Sequence, residues 1–149
     1  MPAKRALLLF VLLVAAAALP GTARAQGEIS ISISIEKHAR LTADGGVIFR
    51  VHVTCGPLPG TEDFREGFAG AEQARTGAEA EGGLSPDVVC DGVERVHTAA
   101  LSRITDAAFR RGPADASAAV IACNTVGDDQ VCAQAGAQRR IIISGPQVG

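Results

Sequence analysis

The chain has 149 residues, with 14 basic against 16 acidic side chains for a net charge of −2, and it carries neither tryptophan nor tyrosine. That length suits one domain, and a charge balance without a basic patch argues against nucleic acid or anionic lipid as a partner. With phenylalanine as the sole aromatic type, the stacking platforms used for single strands and sugars are missing.

Lys4 and Arg5 precede an unbroken apolar run, Ala6 to Leu19, and then the small residues Ala23 and Ala25. This order predicts a secretory signal peptide over residues 1–25, cleaved after Ala25 and exported through the general secretory pathway. As a helix the run rises only about 21 Å, short of the ~30 Å hydrocarbon core, so a membrane anchor is the poorer reading. No transmembrane segment is expected after signal removal. The domain then spans residues 26–144, with 145–149 as a flexible tail, and loss of Lys4, Arg5 and Arg24 makes the mature net charge −5.

Ile29 to Ile35 alternates four isoleucines with three serines, a period of two that only a half-buried strand satisfies. As a first strand it is expected at a sheet edge, with Glu36-Lys37 guarding against edge-to-edge pairing. Thr42 to Gly46 is a turn, and Val47 to Cys55 is a second strand whose inward residues are Val47, Phe49, Val51, Val53 and Cys55. Residues 29–55 therefore read as a hairpin.

Gly56-Pro57-Leu58-Pro59-Gly60 is a stiff loop and the best candidate for a presented one. Residues 62–81 stay open between helix and strand. Phe64, Phe68, Ala71 and Ala78 have helical spacing, whereas Gly67, Gly70, Gly77 and the following Gly82-Gly83 pair fragment a helix and the two phenylalanines also share strand parity. Val88 to Gly92 reads as a short strand closed by an Asp-Gly turn, and Val93–Ile104, Ala114–Cys123 and Val131–Ile143 as further strands. About seven short strands between turns predict an all-β protein, specifically an immunoglobulin-like antiparallel β-sandwich.

Four cysteines in an exported chain, Cys55, Cys90, Cys123 and Cys132, predict two disulfides. Cys123 and Cys132 flank a short loop between adjacent strands, which favours 123–132 with 55–90 over 55–123 with 90–132. No spacing suggests zinc, and no cofactor is expected.

His38, His52 and His97 are the only ordinary general-base candidates, and no nucleophile motif accompanies them. His52 is expected on the outer face of its strand. Glu62-Asp63 and Asp128-Asp129 read as solvated loop pairs, Arg110-Arg111 and Arg139-Arg140 as water-facing basic pairs. No catalytic, cofactor-binding or metal-binding residue is assigned, and the protein is not expected to be an enzyme.

Val-Thr-Cys at 53–55, Val-Val-Cys-Asp-Gly at 88–92, Phe-Arg-Arg-Gly-Pro-Ala at 109–114 and the Cys123/Cys132 hairpin together resemble a family of small secreted actinobacterial immunoglobulin-like proteins of unknown function. That resemblance implies strands over 64–81, supports the 55–90 pairing and brings no catalytic residues. The Cys123–Cys132 hairpin leading to Ile141–Ile143 is more loosely similar to enediyne chromoproteins, sandwiches that carry a small hydrophobic ligand. The expected function is a secreted, non-enzymatic binding or structural module, a monomer whose ligand is a protein, the cell surface or a small molecule. The alternatives are a chromoprotein-type small-molecule carrier and a secreted protease inhibitor presenting Gly56–Gly60.

Overall fold

Ile31, Ile33 and Ile35 are buried while Ser30, Ser32 and Ser34 between them face water, as the alternation requires. The fold is taken from a computed structural model, which describes residues 22–25 and 29–145. Most of the predicted signal peptide (residues 1–21) and the last four residues of the predicted tail lie outside the described residues. Among the described residues eight strands form: β1 (Thr22–Ala25), β2 (Ile29–Leu41), β3 (Val47–Cys55), β4 (Thr61–Gln73), β5 (Ala78–Ser85), β6 (Arg95–Arg103), β7 (Gly112–Val126) and β8 (Asp129–Ser144). The open question over 62–81 resolves as the β4–β5 hairpin, and the expected strand at 88–92 reduces to a single bridge between Cys55 and Cys90.

The strand order is β1-β2-β3-β6-β5-β4-β7-β8, and β8 returns to pair with β2. Strands β2 to β8 therefore close into a seven-stranded barrel, and the immunoglobulin-like sandwich read from the sequence is incorrect. Closure is a parallel contact between His38–Arg40 and Ile142–Ser144. A register irregularity in β2 between Ile35 and Ala39 directly precedes this contact, and an interrupted ladder of that kind can bend a strand. The isoleucine strand, expected at a sheet edge once the leader is gone, is flanked on both sides while residues 22–25 are present. Its first half pairs with β1 as well as β3, and its last residues pair with β8 as well as β3.

The barrel interior has a bulky wall and a small one. Ile31, Ile33, Ile35, Val47, Phe49, Val51 and Val53 from β2 and β3 share it with alanines of the other strands, among them Ala71, Ala80, Ala116, Ala118 and Ala133. A narrow barrel is filled by side chains, and large residues set against small ones let it close without voids. Gly67 and Gly82 serve the same economy of space: a Cβ would stand 2.8 Å from the Leu84 side chain at Gly67 and 2.7 Å from the Ala100 carbonyl oxygen at Gly82. Apolar residues inside and charged ones outside is the reverse of a lipid-embedded barrel.

Two connections join strands that are not neighbours, and each crosses one mouth of the barrel. The loop after β3 crosses with half-buried Leu58; the loop after β6 crosses with buried Phe109. Fully buried Gln73 fastens the second crossing. Its Nε2 donates to Arg110 O (2.9 Å) and Pro113 O (3.1 Å), and its Oε1 accepts from Arg110 N (2.8 Å). The disulfides are Cys55–Cys90 and Cys123–Cys132, which pair all four cysteines. Among the described residues no helix is long and apolar enough to cross a membrane.

Candidate binding surface

The residues singled out from the sequence are scattered. His97 is buried inside the barrel, where its Nδ1 donates to Pro86 O at 2.7 Å. His52 opposes Val96 in the register and so points outward, between Glu36 and Glu94. His38 is exposed at the β2–β8 seam. His52 and His97 therefore lie on opposite faces of the wall. Asp63 accepts from Gln130, Glu62 is exposed, and Asp128-Asp129 sits at the β7–β8 turn beside Gly127, whose φ is 62°. Arg111 donates to Gly145 O and Arg139 to Ile35 O, so each basic pair contributes one arginine to backbone anchoring. The Gly56–Gly60 loop is anchored, with Pro57, Pro59 and Gly60 exposed: Asn124 Nδ2 donates to Leu58 O and Pro59 O, and Gly56 N donates to Ser30 O.

The feature that stands out lies on the outer face of β5, β4 and β7. Phe64 and Phe68 are each 41% exposed, although both sit in a strand paired on one side or both. Their outward placement follows from parity, because Ala69, Ala71 and Gln73 take the inward positions of β4. The register arranges the face in rows. Phe64 is opposite Cys123, which bonds to Cys132; Glu66 is opposite Ile121; Phe68 lies between Gly83 and Ala119; Gly70 lies between Glu81 and Ser117; Glu72 lies between Glu79 and Asp115. From the Phe64 row to the Glu72 row is about 27 Å of strand, and from β5 to β7 about 10 Å.

One end of this face is apolar and the other acidic. Glu72 and Glu79 are directly opposed, a like-charge pair that costs a sheet about 0.2–1 kcal/mol. Among the described residues, none of Glu62, Glu66, Glu72, Glu79, Glu81 or Asp115 closes an ion pair, and Arg140 lies opposite Asp115 in the register without forming one. Between the two ends, Phe68, Ala69, Gly70, Glu81, Gly82 and Ser117 line a shallow open depression of about 530 Å³. Glycines form part of its floor, Phe68 supplies an aromatic wall and Glu81 a carboxylate. Beneath the apolar end, Arg65 donates to the carbonyls of Phe64 and Cys123 and to Asn124 Oδ1, which fixes the backbone under the Phe64 row.

The sequence offered one signal for this face. Phe64 and Phe68 share parity with Glu62, Glu66 and Glu72, so if the segment is a strand they point the same way as charges. The helical spacing of the same phenylalanines masked it. No family model, no curated protein and no solved structure matches the chain, so the surface is read from its own residues.

Proposed function

We propose that the protein is an exported, non-enzymatic binding module that docks a protein partner on the β5–β4–β7 face. The observation that carries this reading is the pair Phe64 and Phe68, exposed at fixed outward positions of a laddered strand when the other phenylalanines among the described residues, Phe49 and Phe109, are buried. An exposed aromatic on a rigid element contributes large contact area with little ordering cost, which is why such residues anchor interfaces. Two disulfides are compatible with an extracellular setting. The carrier alternative draws less support, because the barrel interior is filled by its own isoleucines, valines and alanines. The inhibitor alternative draws less too, since its loop is tied across a barrel mouth by Asn124.

The test is photo-crosslinking in the producing cells, with a photoreactive residue at Ile121 on the face or at Ser34 of β2 on the opposite wall. A discrete protein adduct from position 121, lost when Phe64→Ser and Phe68→Ser are added, is the expected result. Equal adducts from both positions, or none from 121, overturn the reading.

A further inference from the structure

We infer that the partner's docking segment is an extended peptide stretch bearing lysine or arginine, with one cationic side chain seated in the depression between Phe68 and Glu81. This rests on the reading of the β5–β4–β7 face as the docking surface and adds the chemistry of what docks there.

Three features converge on a cation. The first is charge: Glu72, Glu79 and Asp115 form a row across three adjacent strands, Glu81 stands in the next row, and none closes an ion pair among the described residues, with Arg140 opposite Asp115 the one cation continuing the row. A fold with a free choice at these surface positions gains nothing from opposing Glu72 to Glu79, whereas a partner cation between them removes the repulsion. The second is the depression itself, which places an aromatic ring and a carboxylate around a glycine-bearing floor. A long alkyl stem can lie on such a floor while its charged head meets Glu81 and the negative face of the Phe68 ring. The third is the repeat along the strands. Acidic positions two residues apart on β5, Glu79 and Glu81, recur at about 7 Å, the spacing of same-side residues in an extended peptide.

The shape selects the kind of partner. The face runs about 27 Å along β4 and is about 10 Å wide where β5, β4 and β7 pair, which matches roughly eight residues of extended chain and is smaller than the ~800 Å² that each side of a standard globular interface buries. A bare metal ion is a poorer fit, since no three carboxylates, histidines or cysteines converge as a ligand set among the described residues. A nucleic acid or an anionic bilayer would meet charge of its own sign.

Two synthetic octapeptides test this against the folded protein: one alternating lysine with serine, the other alternating glutamate with serine. The lysine peptide is expected to bind, weaken as salt rises, and shift the amide resonances of Phe68, Glu81 and Ser117. Replacing Glu72, Glu79 and Glu81 together by glutamine is expected to weaken it about tenfold, with the barrel's melting temperature held or raised. Phe68→Ala alone is expected to weaken it as well. Binding that the triple variant leaves intact, shifts confined to another wall, or equal binding of the glutamate peptide overturns the inference. If the lysine peptide fails while the Phe64/Phe68-dependent adduct in cells persists, the docking surface stands and the cationic partner falls. If both fail, the surface itself is wrong.

Discussion

His52 holds both ring nitrogens against carboxylates, Nε2 at 3.0 Å from Glu36 Oε1 and Nδ1 at 3.3 Å from Glu94 Oε1. A neutral imidazole can donate from one nitrogen only, so this setting favours the doubly protonated ring. The hydrogen bond to Glu36, then that to Glu94, raises the His52 pKa above its usual 6.5 against a smaller opposing effect of burial. A pKa raised on folding gives stability that is fully present below the unfolded value and lost as pH rises through the folded one. Stability should therefore fall from about pH 6.5 upward, and His52→Asn should flatten that slope. Glu36→Gln should move the ring titration down, as read by NMR; a wild-type ring titrating at or below 6.5 would contradict the account. Neighbouring Asp91 does not confuse the window. Arg95 grips it with both nitrogens, at 2.6 and 2.7 Å, and holds its carboxyl down at about 2.

Among the strands, β1 has a special position. It lies within residues 1–25, the predicted leader, yet it pairs with β2 from Thr22↔Ser32 to Ala25↔Ile29. If export removes it, the first half of β2 keeps β3 on one side and loses its ladder on the other, while the seam at His38–Arg40 is untouched. A chain starting at Gln26 should therefore keep the barrel and its cooperative unfolding. Amide exchange should quicken only in the segment from Ile29 to Ser32. Loss of protection at Ile142 or Ile143 as well would mean that β1 supports the closure itself. The exposed stretch is four residues long with serines facing water, which limits its appeal as an edge for other chains.

Across the whole molecule the disulfides act on different parts of the closure. Cys55–Cys90 spans a separation of 35 residues and ties the 86–94 connection to the end of β3; Cys123–Cys132 spans 9 and lies within a continuous β7–β8 ladder. On the chain-entropy model the longer loop is worth about 4 kcal/mol and the shorter about 3. The ladder also holds Cys123 opposite Cys132 without the bond. Replacing Cys55 and Cys90 by alanine should therefore cost more stability in denaturant titration than the same change at Cys123 and Cys132. The reverse order would show that the hairpin depends on its staple. The second pair also borders Phe64, so its loss should disturb the proposed docking face more than it disturbs the core.

What was readable without the fold was whatever depends on neighbours in the chain. The alternation of Ile29–Ile35 and of Val47–Cys55 determines two strands and their buried faces, because side-chain direction in a strand has a period of two in any sheet. The spacing of Cys123 and Cys132 across a hairpin likewise pointed to their bond. That same periodicity is silent on whether a sheet lies flat against another or bends round to meet itself. The barrel was decided by three residues at the end of β2 meeting three at the end of β8, more than a hundred positions away, just past the irregularity between Ile35 and Ala39. The candidate surface belongs to the same class. Glu79, Glu72 and Asp115 become a row, and Phe68 and Glu81 share a depression, only when β5, β4 and β7 align in register; in the sequence they are isolated charges and a phenylalanine that fits a helix as well as a strand.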